Sequence, residues 1–148
     1  IGNGKIINRA SIEFSNCNVS GGIEIMSLDE IIIKNNSTFG SNAESLNTSV
    51  ISYSKNAFEI DNSTFKGIVI SKGNKTHLKN GVNFYGAIYN EAANCIVEGN
   101  STNIIGSIVS KYSLNFNSGS IRKGNLPKIF GNNFGILSSV MPGSYLEY

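Results

Sequence analysis

The chain has 148 residues and a net charge of +2, from 12 Lys and Arg against 10 Asp and Glu. That length makes one domain with a core of its own, and the charge balance excludes a polybasic binder of nucleic acid or of membrane surfaces. One His, two Cys, two Asp and no Trp leave nothing for a clustered His/Cys metal centre.

Asn and Ser supply 43 residues, and Gly another 16. All three are weak in helix interiors, so long helices are not expected. No apolar run is long enough to span a membrane. The apolar content, 40% and rich in Ile, is enough for a packed core and argues against disorder.

In chain order, short runs alternate apolar and polar residues. They are Ile12-Glu13-Phe14-Ser15, Ile23-Glu24-Ile25, Phe58-Glu59-Ile60-Asp61 and Leu114-Asn115-Phe116-Asn117. A period of two with Ile, Val and Phe predicts strands, and the intervening Asn, Ser and Gly predict turns. Cys17-Asn18-Val19-Ser20-Gly21 is similar to the later segment Cys95-Ile96-Val97-Glu98-Gly99. Asn36-Ser37-Thr38-Phe39 returns as Asn62-Ser63-Thr64-Phe65, and the extra length between the two predicts a loop from Ser41 to Thr48. Gly67, Gly86 and Gly106 then recur at an almost constant interval in similar settings. Gly81, Gly99 and Gly119 form a second column, each shortly after an apolar residue: Leu78, Ile96 and Phe116.

A fixed period of about 20 residues signals a solenoid. Each repeat holds two or three short strands and cannot bury its apolar face alone. Stacked coils would share one Ile/Val/Phe core and pair their strands in parallel. Leucine-rich repeats would need a Leu ladder that is missing. The expected fold is all-β: a right-handed parallel β-helix of about six coils over residues 1–121, with a C-terminal capping tail over 122–148. The coils are drawn at 5–22, 23–40, 41–66, 67–85, 86–105 and 106–121. Ile68, Ile88 and Ile108 are expected at equivalent core positions. At about 4.8 Å per strand the stack would be about 25–30 Å tall. The tail holds Pro127, Pro142, Phe130, Phe134, Tyr145 and Tyr148, and is expected to cover the open end or pack along a side.

Polysaccharide-active β-helices place paired carboxylates, or a Ca²⁺ site, beside Lys or Arg. Asp29 and Glu30 are adjacent and would point to opposite faces of a strand, whereas Glu59 and Asp61 could share one. His77 has no acid beside it in sequence, and its neighbours Lys75, Thr76 and Lys79 predict an exposed turn or strand. The acids read as singly scattered on a solvated outer face. No catalytic, cofactor or metal site is therefore expected. Convergence of Glu59, Asp61 and a Lys such as Lys79 or Lys55 within hydrogen-bond reach, in a groove along one face, would reverse that reading. Cys17 and Cys95 would stand in matching columns about four coils apart, roughly 19 Å. That is too far for a disulfide, which needs Cα atoms within about 7 Å. Asn-X-Ser/Thr occurs at Asn18, Asn35, Asn36, Asn47, Asn62, Asn74 and Asn100. It reads as turn chemistry and exposed amide ladders, or as glycan sites in a secreted eukaryotic protein.

The block from Phe65-Lys66-Gly67-Ile68-Val69-Ile70-Ser71 through Asn83-Phe84-Tyr85-Gly86-Ala87-Ile88-Tyr89 to Ile105-Gly106-Ser107-Ile108-Val109-Ser110 resembles a repeat in certain minor pilins. These are type IV pilus assembly proteins of Gram-positive bacteria with a β-helical headpiece. The ending Met141-Pro142-Gly143-Ser144-Tyr145-Leu146-Glu147 resembles the C-terminal signature of that family. The resemblance implies a non-enzymatic, extracellular structural or adhesion subunit at the pilus surface. Its implied partners are other pilin subunits and a host surface or glycan, not nucleic acid. It also implies a membrane anchor made only by an N-terminal hydrophobic helix, which is not in this sequence. The alternatives are a polysaccharide-binding or polysaccharide-cleaving β-helix protein and a self-polymerising β-helical scaffold.

Overall fold

Alternating Ile, Phe and Val on short polar-flanked runs can bury one face only by stacking on an identical neighbour, and the chain folds accordingly. The computed structural model describes residues 4–20, 23–40 and 56–123. Strands β1 (Gly4–Asn8), β2 (Ile12–Ser15) and β3 (Asn18–Val19) form the first rung. Strands β4 (Ile23–Ser27), β5 (Ile31–Lys34) and β6 (Thr38–Phe39) form the second. Then follow β7 (Ala57–Asp61), β8 (Thr64–Ser71), β9 (Lys75–Lys79), β10 (Asn83–Asn90), β11 (Asn94–Val97), β12 (Asn103–Ser110), β13 (Ser113–Phe116) and β14 (Ser120–Arg122).

Every pairing is parallel, between equivalent strands of successive rungs. One six-stranded sheet runs β2-β5-β7-β9-β11-β13, a second runs β3-β6-β8-β10-β12-β14, and β1 pairs with β4. The protein is an all-β parallel solenoid. Six rungs complete about five turns. The expected count of six coils is slightly high.

The core is a set of straight columns. Ile12, Ile31, Phe58, Thr76, Cys95 and Leu114 stack in one, and Phe14, Ile33, Ile60, Leu78, Val97 and Phe116 in the next. Val19, Phe39, Phe65, Phe84, Ile104 and Ile121 form the third. In that third column Phe39 and Phe65 stack at 5.9 Å between centroids, and Phe65 and Phe84 at 5.4 Å. Burying each such side chain contributes about 1.5–3 kcal/mol.

Asn residues turn the corners. Asn16, Asn35, Asn36, Asn62 and Asn80 have φ between 41° and 60°, a left-handed conformation that Asn tolerates through its own side-chain hydrogen bonds. Asn62 Nδ2 donates to Asn36 Oδ1 one rung below. In β12 a different constraint acts. A Cβ on Gly106 would stand 1.8 Å from the Gly86 carbonyl oxygen, so backbones of successive rungs meet where only glycine fits. Gly67, Gly86 and Gly106 are in register. The chain runs on through this glycine column as one strand, which makes β8, β10 and β12 eight residues long.

Inside the stack one column is polar: Ser71, Asn90 and Ser110 are in register. Thr76 Oγ1 donates to Asn90 Oδ1, while Asn90 Nδ2 donates to the Ala92 carbonyl and to Ser110 Oγ. The Asn90 amide is thus fully bonded and fixes the register, whereas the buried Ser71 hydroxyl in the same column has no hydrogen-bond partner.

Three sequence expectations need correction. Ile88 and Ile108 are equivalent, but their partner is Val69; Ile68 lies one position earlier, against Ala87 on the outer side. Ile96 is outward beside His77, and Val97 takes the inward place beside Leu78. Cys17 and Cys95 do not share a column. Cys17 sits at a corner one rung below Ser37, whose Oγ accepts from the Cys17 amide at 3.1 Å, whereas Cys95 is in the core of β11 between Thr76 and Leu114. Both thiols are free. The loop around 41–48, Asn47, Lys55 and the capping tail over 124–148 lie outside the described residues.

Candidate functional site

The outer face of the β2-β5-β7-β9-β11-β13 sheet carries the densest group of ionisable side chains. On β7, Glu59 and Asp61 are two positions apart and share this face, as the sequence suggested. On β9, Lys75, His77 and Lys79 do the same. The register puts His77 directly beside Glu59 and Lys79 beside Asp61. Glu98, just beyond β11, reaches back from the next rung.

His77 Nε2 is hydrogen-bonded to Glu98 Oε1 at 2.6 Å. Its Nδ1 faces Glu59 Oε2 at 3.6 Å, beyond hydrogen-bond range. The Lys79 ammonium lies 2.8 Å from Glu59 Oε1 and 3.7 Å from Asp61 Oδ2. Lys75 stands 3.8 Å from Glu59, and Asn80 Nδ2 donates to Asp61 Oδ1 at 3.0 Å. The hydrogen bond to Glu59 is the main cause that raises the Lys79 pKa above the ordinary lysine value. Partial burial opposes it, and the charges of Glu59 and Asp61 reinforce it.

Two expectations change here. The acids are not scattered singly: Glu59, Asp61 and Glu98 gather around His77 and Lys79. Nor is His77 an exposed residue; its side chain is 12% exposed and that of Glu59 18%. Asp29 and Glu30 lie apart from the group, between β4 and β5. There Asp29 accepts from Ser11 Oγ and from Asn56 Nδ2, one rung to either side.

A signal for the cluster existed in the sequence. One repeat on from Glu59 is His77, and one repeat on from Asp61 is Lys79; the position one repeat on from His77 is Ile96, and Glu98 lies two residues beyond it. Each acid acquires its partner from a neighbouring coil rather than from its own strand. Among the described residues no group of three His, Cys, Asp or Glu is arranged to hold a metal ion, and no helix is long and apolar enough to cross a membrane.

The second outer face is different. Lys66, Tyr85, Ile105 and Arg122 are in register along it, as are Thr64, Asn83, Asn103 and Ser120. Partial burial lowers the Lys66 pKa. Asn103 Nδ2 donates to Asn83 Oδ1, and Ser120 Oγ donates to Asn103 Oδ1. This is the amide ladder that the Asn-rich sequence implied. The sequons at Asn18, Asn35, Asn36, Asn62, Asn74 and Asn100 all fall on exposed positions at or beside corners.

No family model, curated protein or solved structure matches this chain.

Proposed function

We propose that the chain is a non-enzymatic structural subunit that acts by contact, of the minor-pilin kind and displayed on an extracellular fibre. One observation carries the structural part of this reading. Outer-face carboxylates are braced by a cation one rung away: Glu24 by Lys5 at 3.0 Å, Glu13 by Lys34 at 2.9 Å, Glu59 by Lys79, and Glu91 by Lys72 at 3.7 Å. Cross-strand opposite charges of this kind stabilise a sheet by about 0.2–1 kcal/mol each. The Asn, Ser, Thr and Tyr side chains between them offer hydrogen-bonding area to other pilin subunits, a host surface or a glycan.

The pilus assignment rests on the resemblance of the glycine-centred repeat and of the 141–147 ending. Its test is the gene upstream of Ile1. A short leader followed by a hydrophobic helix, and labelling of intact cells by an antibody to this domain, are the expected results. A cytosolic start removes the pilin reading and leaves the structural one.

A second reading has a specific observation behind it. Glu59, Asp61, His77 and Lys79 gather on one outer face, a constellation an anionic-polysaccharide lyase or hydrolase could use; the condition for abandoning the structural reading is met only in part, since Lys79 reaches Glu59 at 2.8 Å but stands 3.7 Å from Asp61, outside hydrogen-bond range. Incubation with anionic polysaccharides decides between them. The structural reading expects no new reducing or unsaturated ends. Turnover that disappears in Asp61→Asn and Glu59→Gln would make the enzyme the better account.

A further inference from the structure

The two ends of the described solenoid are chemically alike and mutually complementary. Along the three apolar columns, the penultimate residues Cys95, Val97 and Ile104 are fully buried. The last ones, Leu114, Phe116 and Ile121, are 44%, 39% and 49% exposed. At the opposite end Ile12, Phe14 and Val19 are only partly buried, although Ile31, Ile33 and Phe39 one rung inward are fully so. Among the described residues no polar side chain replaces the apolar ones at either end. β13 and β14 finish their sheets there, as β2 and β3 do at the other end. An apolar sheet end with free edges is a template for another strand.

We propose that copies of this chain associate head to tail, the last rung of one seating on the first rung of the next as a further turn of the same solenoid. The contact continues an interface the molecule already makes between each pair of its own rungs. The internal register, carried one step further, sets Leu114 on Ile12, Phe116 on Phe14 and Ile121 on Val19. Each pair belongs to a column that is apolar at most rungs. The outward side chains also match. Asn115 falls on Glu13, Ser120 on Asn18 and Arg122 on Ser20, so no like charges face each other. Glu13 keeps its bond to Lys34 within its own copy.

Such a contact joins two different surfaces and is translated along the stack axis, so it does not close; it extends into a filament. The partner is a second copy of this chain. The inference rests on the structural reading above but not on its pilus form. Polysaccharide turnover decides the one and particle size the other.

The test uses the full chain in sedimentation velocity over a series of concentrations, with electron microscopy of the largest species. The expected result is a ladder of linear oligomers growing with concentration. Two blocked variants set its polarity. Leu114→Lys with Phe116→Lys closes the last rung, and Val19→Lys closes the first, with circular dichroism checking that each keeps its strand signal. Each variant alone stays monomeric, and an equimolar mixture stops at dimers, since one open end of each remains. Should a variant fail to fold, the unmodified chain still decides the matter. A chain that remains monomeric up to its solubility limit, with residues 124–148 or another segment covering the end, overturns the proposal. Growth that is unaffected by both blocks, or that occurs side by side, overturns it equally.

Discussion

Cys95 and Cys17 show how position in the coil decides side-chain chemistry. Burial pushes the Cys95 thiol up to about 11 and takes it away from reagents. Cys17 lies at a corner, partly exposed, with its thiol donating to the Ser15 carbonyl. A thiol reagent in mildly alkaline buffer should therefore label Cys17 in the folded protein, and both residues only in denaturant without reductant. Fast labelling of Cys95 would move it out of the core. The same shift has a consequence for stability. The folded state keeps a proton that the unfolded chain releases near pH 9.0. The contribution of Cys95 is thus complete below pH 9.0 and is lost as pH rises through about 11. Urea midpoints measured across that window should fall, and fall less in Cys95→Ala. Lys79 works in the same direction, its contribution disappearing as pH rises past its raised pKa. Comparing Cys95→Ala with Lys79→Met separates the two.

Gly106 is the residue on which the rung contact depends most closely. Gly106→Ala puts a methyl against a backbone oxygen that cannot move without parting two strands. It should cost well over about 1 kcal/mol, read as a lower urea midpoint. This position was legible in the sequence because glycine recurs at it in successive repeats. The inward residue that follows was less so. Ile68-Val69-Ile70 is apolar throughout, and a continuous apolar run carries no parity. Only pairing with Gly86-Ala87-Ile88 reveals that Val69, not Ile68, faces in.

At the scale of the strand, the core is a column property. Ile88 is fully buried between Val69 and Ile108, so Ile88→Ala should cost about 2–5 kcal/mol in thermal or urea unfolding. An unchanged melt would place Ile88 on the surface. The alternating runs announced their strands because period two survives in Ile12-Glu13-Phe14-Ser15 and Phe58-Glu59-Ile60-Asp61. The lengthening along the second sheet, from the short β3 and β6 to the long β8, β10 and β12, was not legible. Whether a glycine ends a strand or bends it depends on the backbone passing above, which no single repeat contains. The cluster of Glu59, His77, Lys79 and Glu98 escaped for a related reason. Neighbours in space stand a whole repeat apart, and reading each strand by itself could put Glu59 beside Asp61 but not beside His77 and Lys79 of the next coil.

At the scale of the molecule, the repeat period and turn chemistry specified a parallel solenoid, because stacking equivalent coils buries many short apolar runs with few long connections. What the stack does was less accessible. Contact surfaces need only area and hydrogen-bonding groups, so no motif marks them. The clearest whole-molecule prediction is the absence of turnover on anionic polysaccharides, set against head-to-tail growth in solution.

The rung spacing has one more consequence, for how the chain reaches this state. Asn90 bonds to Ser110 across 20 residues, and Gly99 to Ser118 across 19. In this part of the stack the loop that must close to add a coil is therefore about one repeat, however many coils lie beneath it. Closure entropy is met in equal small steps, and each completed coil is a ready surface for the next. Folding of this kind can advance with the chain as it emerges from a ribosome or a translocation pore, one coil at a time. A nascent chain arrested after Arg122 should already resist protease over the rungs beneath its last one.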